Sequence, residues 1–228
     1  MHIGMIGGIG PAATEYYYRL LAAAHESADK PMELTIVHAQ VRDLVGNVTA
    51  NNPERQAAIF KNLIERLARA GADTAVVTSM TGHFCVDALE PISPLPIVSA
   101  LPAVNAAIKK RGFEKVGLIG THKVMGSSLY GAISDASVLV PEGADRDRTH
   151  DAYMKIALDC VATDAEREVF FEVGRRLCED RGAEAVILGG TDLFLAFEGK
   201  QPGFEAIDCA QIHVDELTRL SLADQTTD

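Results

Sequence analysis

Two short polar stretches carry the side chains that are best suited to chemistry. The first is Ser79-Met80-Thr81-Gly-His83, and the second is Gly190-Thr191. A serine hydroxyl needs a neighbouring base to act, and His83 is four residues from Ser79, the spacing of neighbours on a helical turn. A purely structural His83 is the alternative. Met80, Thr81 and Thr191 are predicted to contact a ligand, with the threonines as hydroxyl donors to a carboxylate or, alternatively, as helix caps.

A glycine-rich turn near the start of the chain could also bind an anion. Gly8-Ile-Gly10-Pro-Ala-Ala13 lies between an apolar run and a helical pattern, and it matches the G-x-G-x-x-A signature of dinucleotide sites. Such a site needs an acidic residue at the end of the next strand, and Thr35-Ile-Val-His-Ala-Gln40 has none. The motif therefore disfavours a nicotinamide cofactor, and we predict that Gly8 and Gly10 present backbone N–H groups to a carboxylate. A tight turn without a ligand is the alternative.

The polar stretch 41–52 is predicted to be a long loop, and long loops are often functional. Arg42 is the best candidate in it for clamping a carboxylate, because a guanidinium can donate two parallel hydrogen bonds. Asn52 is a further candidate for a ligand contact. Solvated loop side chains are the alternative for each.

The elements that position these residues occur twice along the chain. Three pairs of segments repeat in the same order: 3–8 with 116–121, 71–81 with 182–192 and, more loosely, 95–99 with 205–209. Each copy contains short apolar runs that end in small polar residues, and helical patterns separate the runs. This alternation predicts an α/β fold with parallel sheets, in two pseudo-symmetric halves with the active site in a cleft between them. Ser79 and Gly190 are equivalent under the repeat.

We place the first half at residues 1–100 and the second at 101–212, and we leave open that the last helix crosses back to the first half. Residues 213–228 are predicted to complete that helix and to end in a disordered tail from 223. Helices are predicted at 81–89 and 123–133, and Thr163 is predicted to cap a helix together with Glu166.

Composition excludes several classes of function. The 228 residues carry a net charge of −11, which disfavours nucleic-acid binding, and they contain no apolar run long enough for a membrane span. The four cysteines include no C-x-x-C pair, so we expect neither a metal site nor a disulfide framework. The default location is the cytoplasm.

Four motifs give the chain a specific resemblance. Gly7-Gly-Ile-Gly-Pro-Ala-Ala-Thr14 resembles the opening of the aspartate/glutamate racemase family, and Gly120-Thr121 is similar to its Gly-Thr turn. Val77–His83 resembles the family's first active-site motif, Cys-Asn-Thr-x-His, and Leu188–Asp192 its second, Gly-Cys-Thr-Glu. The resemblance implies two Rossmann-like halves, a homodimer, no cofactor, and Thr121 among the ligand contacts.

The resemblance also implies a mechanism from which this chain departs. Racemases of the family invert the substrate α-carbon with two cysteines, since inversion needs a base on one face and an acid on the other. Ser79 and Gly190 stand at the positions of those two cysteines. Glycine cannot transfer a proton, so ordinary two-thiol racemisation is not expected. The sequence leaves open whether the two residues are natural or engineered.

Other cysteines are candidates for the missing thiols. Cys209 follows the last predicted strand and Cys85 lies two residues after His83. Replacing both Ser79 and Gly190 by cysteine is expected to produce measurable racemisation if an amino acid still binds.

The function predicted from the sequence is that of a cofactor-independent amino-acid or small-carboxylate racemase or isomerase. One alternative is a one-base decarboxylase or lyase of the same superfamily. The other is a non-catalytic protein that binds a small carboxylate.

Overall fold

The computed structural model describes residues 1–223, and the predicted disordered tail lies, from residue 224 onward, outside the described residues. The seven strands described are β1 Ile3–Gly7, β2 Leu34–His38, β3 Thr74–Val77, β4 Lys115–Ile119, β5 Ser137–Leu139, β6 Ala185–Leu188 and β7 Ala206–Asp208. The helices are α1 Pro11–Ser27, α2 Val41–Thr49, α3 Pro53–Arg69, α4 Val86–Leu89, α5 Ala100–Arg111, α6 His122–Gly126, α7 Gly143–Asp159, α8 Asp164–Glu179, α9 Phe194–Phe197 and α10 Cys209–Ala223. Four 3-10 helices add Thr81–Cys85, Glu90–Ile92, Leu129–Gly131 and Thr191–Leu193.

The chain forms two compact units, and both are α/β with parallel sheets. The first comprises Met1–Ser99 together with the chain from His213, and the second comprises Ala100–Ile212. The sheet of the first unit has the order β2-β1-β3, and Ile97 adds an isolated parallel bridge to Ala75 of β3. The sheet of the second unit has the order β5-β4-β6-β7. The predicted α/β class is therefore confirmed.

Each sheet is covered by a helix whose apolar side packs onto it. In the first unit, Phe60, Ile64 and Leu67 of α3 are fully buried in the core that also contains β1 and β3 side chains. In the second, α8 contributes Phe170 and its neighbours to a core with β6. These buried strands are apolar throughout, as expected for parallel sheets covered on both faces.

The strand register reproduces the sequence repeat. Ile3 of β1 pairs with Thr74 of β3, and Val116 of β4 pairs with Ala185 of β6. These are equivalent residues in the two copies, so the repeat in sequence is a repeat in structure. The Ile97 bridge takes the place in the first unit that β7 has in the second. Ser79 and Gly190 consequently follow the equivalent strands β3 and β6, each two residues past the strand end.

Two local predictions are wrong. Residues 41–49 form α2 and not a loop, because Val41, Leu44, Val45 and Val48 recur at helical spacing and Leu44 is buried. The helix predicted at 123–133 ends at Gly126. It ends early because Ser127 Oγ accepts a hydrogen bond from the Tyr130 backbone N–H, in a stretch where the residue at 130 has positive φ.

In the described part of the chain, no helix is both long enough and apolar enough to span a membrane.

Candidate functional site

The turn after β1 is built around glycine. Gly8 has φ +85° and Gly10 has φ +107°, a region that other residues rarely adopt. A β-carbon on Gly8 would lie 2.4 Å from His38 Nδ1. The Gly8 amide donates to Thr14 Oγ1 at 2.9 Å, and the Thr14 hydroxyl donates to the Gly10 carbonyl at 3.1 Å. The Gly8 amide, predicted to face a ligand, is thus engaged inside its own turn.

The stretch after β3 places Ser79 in a buried, hydrogen-bonded turn. Only 4% of Ser79 is exposed, and its hydroxyl accepts from the Gly82 amide at 3.2 Å. The 3-10 helix that follows brings His83 back, so that His83 Nδ1 lies 2.8 Å from the Ser79 carbonyl oxygen. The structure therefore brings Ser79 and His83 together, with the ring nitrogen on the backbone oxygen of the serine.

His83 belongs to a buried polar group that the sequence did not reveal. The ring of His213, from α10, lies 6.0 Å from the ring of His83 and meets it edge-on. His213 Nδ1 is 2.9 Å from the Tyr17 hydroxyl, and its Nε2 is 2.9 Å from the Val98 carbonyl oxygen. Because the carbonyl can only accept, Nε2 carries the proton and Nδ1 accepts from Tyr17.

Burial keeps both rings neutral. Desolvation lowers the pKa of His83, although the bond to the Ser79 carbonyl opposes this. Burial, with a further contribution from His83, lowers the pKa of His213 to about 3. A neutral imidazole near Ser79 can accept a proton but is a weak base.

Met80 and Thr81 differ in accessibility. Met80 is fully buried, so its side chain offers no exposed surface to a ligand. Thr81 is half-buried and begins the 3-10 helix.

Neither candidate cysteine is suited to replace a thiol at these positions. Burial raises the pKa of Cys85 to about 12. Burial, together with the nearby Asp208 carboxylate, raises the pKa of Cys209 far above the usual range of a thiol. Both side chains are fully buried. Since the thiolate is the reactive form, both are expected to be inert.

Arg42 and Asn52 lie together in a separate pocket between α2 and α3. It has a volume of about 250 Å³, and the two residues share it with Arg55 and Asn47, among others. Asn52 also caps α3, since its Oδ1 accepts from the Arg55 amide at 3.0 Å. The residues that line this pocket include neither Ser79 nor the glycines of the β1 turn. The structure thus groups the predicted ligand residues of the first unit into two sets.

In the second unit, Thr121 caps the short helix α6. Its hydroxyl accepts from the Val124 amide at 3.3 Å, and the residue is 5% exposed. The adjacent Gly120 approaches the turn after β6 closely, because a β-carbon there would lie 3.0 Å from the Gly189 carbonyl oxygen. The turns after β4 and β6 are therefore neighbours, as the carboxyl ends of adjacent parallel strands must be.

Gly190 has no room for a side chain. Its backbone is extended, so glycine is not required for conformation, but a β-carbon would lie 2.1 Å from Tyr153 Cε2. The Tyr153 hydroxyl donates to Asp192 Oδ2 at 3.1 Å and is also hydrogen-bonded to the Thr191 side chain. Tyr153, on α7, and Asp192 are functional candidates that the sequence analysis missed.

These strand-end turns fit the comparisons with known proteins. A family model described as Asp/Glu/hydantoin racemase matches residues 6–217. The chain belongs to this family. The match covers nearly the whole chain and both units.

Solved structures show the same fold. An aspartate racemase homologue from Pyrococcus horikoshii OT3 is 28% identical with a TM-score of 0.77, over 97% of this chain and 99% of that one. Aspartate racemase from Picrophilus torridus is 20% identical with a TM-score of 0.80, over 97% and 94%. Glutamate racemase from Francisella tularensis, solved with D-glutamate, is 15% identical with a TM-score of 0.68, over 100% and 84%.

Within the racemase family fold, the described part of this chain shows no group of three or more His, Cys, Asp or Glu side chains placed to hold a metal ion. Two groups of residues could take part in chemistry: the Ser79–His83 pair of the first unit and the Gly190–Asp192 turn of the second. The Ser79–His83 pair can accept or pass on a proton. In the Gly190–Asp192 turn, the Tyr153 phenol is hydrogen-bonded to the Asp192 carboxylate and to the Thr191 side chain.

Proposed function

We propose that this chain binds a small amino acid or related carboxylate and transfers a proton at its α-carbon, the step that underlies racemisation in its family, with neither a cofactor nor a pair of thiols. Family membership supports the reaction class. The Francisella and Thermus neighbours were solved with D-glutamate and with β-chloro-D-alanine, which supports an amino-acid ligand.

One observation carries the proposal for the mechanism. Ser79 and Gly190 follow the equivalent strands β3 and β6, whose register against β1 and β4 is the same in both units. These are the positions at which the chain resembles the two cysteine motifs of the family, and neither holds a thiol. Cys85 and Cys209 do not substitute, because burial holds both in the protonated form. Proton transfer then depends on Ser79 and His83.

The proposal assigns roles to the remaining candidates. Thr81, Thr121 and Thr191 supply hydroxyls near the strand ends, and the Gly8–Gly10 turn follows β1 in the same unit as Ser79. Arg42 and Asn52 supply a cationic and a polar contact for a carboxylate in their own pocket between α2 and α3, which the residues of the Ser79 turn do not line.

The test has two stages. Thermal shift against a panel of amino acids and dicarboxylates first identifies a ligand, which should raise the melting temperature as its concentration rises. Proton NMR in heavy water then follows loss of the α-hydrogen signal of that ligand. Ser79→Ala should slow exchange by about 100-fold, in the range found for loss of one acid–base group.

Ser137→Ala is the matched control, because Ser137 is an exposed serine on β5 of the other unit. Exchange at the wild-type rate in Ser79→Ala would remove Ser79 from the mechanism. A panel in which no carboxylate stabilises the protein would overturn the ligand class.

We also propose that the protein is a cytoplasmic homodimer. The family resemblance supports the dimer, and four cysteines without a disulfide partner support a reducing compartment. Sedimentation velocity across a hundredfold range of concentration tests the first statement, and fractionation of the source cells tests the second. A single monomeric species at all concentrations contradicts the dimer.

A further inference from the structure

In the second unit, the ring of Tyr153 occupies the space that a side chain at residue 190 would need. A β-carbon on Gly190 would come within 2.1 Å of Tyr153 Cε2, 2.7 Å of Cζ and 3.0 Å of Cδ2. A β-carbon does not approach another heavy atom more closely than 3.0 Å, so a side chain at residue 190 would force a neighbouring atom to shift. Here the obstacle is a ring that is 5% exposed, packed in the core of the second unit with Ile119 and Ile156.

The ring is also held at its far end. The Tyr153 hydroxyl donates to the Asp192 carboxylate at 3.1 Å and is bonded to Thr191, and these two residues are 2% and 1% exposed. Moving the ring away from residue 190 would therefore break buried hydrogen bonds and leave a buried carboxylate with fewer donors.

From this geometry we infer that Tyr153 is a specificity-determining residue that fills the side-chain position of residue 190 and leaves the turn after β6 without a proton-transferring group. The position of the Tyr153 ring therefore requires a glycine at residue 190. The inference rests on the proposed function, and it predicts the stereochemical outcome of the proposed reaction.

The chemistry of the phenol supports this assignment. Burial and the adjacent Asp192 carboxylate raise the pKa of Tyr153 well above its usual value. A phenolate beside a buried carboxylate is strongly disfavoured, so Tyr153 can neither act as a base nor give up its proton readily. Glycine has nothing to donate.

A reaction with one competent proton carrier has a defined outcome. The base removes the α-proton as H⁺, the electron pair stays on the substrate as its enolate form, and the same carrier returns a solvent-derived proton to the same face. The carrier and the substrate are both regenerated, so atoms and charge balance without a co-reactant. The α-hydrogen is exchanged and the configuration is retained.

The packing claim can be tested without any ligand. Gly190→Ala is expected to lower the melting temperature by about 4–10 °C, the effect of overpacking by one methyl group. In a Tyr153→Leu background, the same change should cost less than about 2 °C. Gly46→Ala is the control, because a β-carbon there meets nothing within 4 Å.

If the Tyr153→Leu variant does not fold, the melting temperatures of Gly190→Ala and Gly190→Cys in the wild-type background still test whether Tyr153 fills the side-chain position of residue 190. Equal melting temperatures for these variants and for Gly46→Ala would overturn it, as would additive effects in the double variant. The same geometry corrects the expectation that two cysteines alone restore racemisation, since a cysteine at 190 also requires a smaller residue at 153.

The stereochemical claim is tested in heavy water with each enantiomer of the ligand found by thermal shift. The expected result is α-deuteration of one enantiomer with interconversion at least 100-fold slower, measured by NMR and chiral chromatography. Interconversion as fast as exchange would overturn the inference while leaving the proposed function intact. Absence of both binding and exchange would overturn the proposed function, and the melting-temperature arm would still decide the Gly190–Tyr153 pairing.

Discussion

His83 Nδ1 lies 2.8 Å from the carbonyl oxygen of Ser79, and this contact fixes the tautomer of the ring. A carbonyl oxygen only accepts, so the proton is on Nδ1 and the lone pair is on Nε2. The residue is fully buried and its pKa is lowered by desolvation, so the ring is neutral at physiological pH. The hydrogen bond from Nδ1 stabilises the turn after β3, whereas the lone pair on Nε2 is the group that could accept a proton in catalysis.

Two substitutions at His83 separate these roles. Asparagine can still donate near the position of Nδ1, so His83→Asn should keep its melting temperature within about 3 °C of the wild type, whereas His83→Ala should lose more than twice that. Both should slow α-hydrogen exchange by about 100-fold, because both remove the Nε2 lone pair. His122→Asn, at an exposed histidine, is the control. Full exchange in His83→Asn would mean that His83 is structural only.

The buried histidines also predict how stability depends on pH. His213 has a pKa of about 3 in the folded protein, against an ordinary value near 6.5, and His83 is shifted in the same direction. Below pH 6.5 the unfolded chain takes up protons that the folded protein does not. The stability is therefore complete above pH 6.5 and falls as the pH drops, by about 1.4 kcal/mol per pH unit for His213 until the pH approaches 3, and His83 adds a loss in the same direction.

Urea unfolding at pH 7.5, 6.5, 5.5 and 4.5 measures this slope. His213→Gln should reduce this slope by about the contribution of one ring. A slope that His213→Gln does not alter would mean that His213 is protonated in the folded protein or that its burial is not maintained.

The sequence predicts the start of α8 correctly. The Thr163 amide donates to Glu166 Oε2 at 3.0 Å and the Thr163 side chain accepts from the Glu166 backbone amide, the two hydrogen bonds of a capping box. Thr163→Ala should lower the free energy of unfolding by about 1 kcal/mol. Thr49→Ala, at the exposed end of α2, is the control in the same urea titration, and an equal effect of the two changes would contradict the cap.

Glu166 adds an acid-range dependence to the same site. Its pKa is lowered to about 2, first by Lys155 and then by Thr163. The carboxylate is charged in the folded protein down to lower pH than in the unfolded chain, so its contribution is complete above about pH 4.5 and is lost as the pH falls toward 2. Lys155→Met should diminish this loss in urea titrations between pH 5 and 3, and an unchanged profile would remove Lys155 as the cause.

The parts of the fold that the sequence predicts are those set by local pattern. The repeat identifies Ile3 and Val116 as equivalent, and the sheets give them equivalent partners. The capping box of α8 depends on residues three apart. Such features follow from short-range spacing, which a single sequence displays.

The parts that the sequence does not predict depend on contacts between distant residues. His213 and Val98 are 115 residues apart, and Tyr153 and Asp192 are 39 apart. Spacing along the chain does not indicate that an α7 ring fills the side-chain position of Gly190. Helix α2 was missed for a different reason: its apolar residues do recur at helical spacing, but its buried side also contains the polar residue Asn47, which is hydrogen-bonded to Gln56 of α3.

Arg42 provides the last prediction. Its guanidinium lines the pocket between α2 and α3 together with Arg55 and Asn52, at a volume of about 250 Å³ that suits a small acid. Hydrogen bonds between charged groups contribute about 1.5–3 kcal/mol, so Arg42→Gln should weaken binding of the carboxylate ligand by roughly 10- to 100-fold.

Isothermal titration with the ligand found by thermal shift measures that loss. Arg55→Gln should weaken binding by a similar factor if the two guanidinium groups share the carboxylate. Arg69→Gln, at an exposed arginine near the end of α3, changes the net charge equally and should not alter the affinity. If all three variants weaken binding to the same extent, the effect is that of overall charge, and Arg42 is not a specific contact.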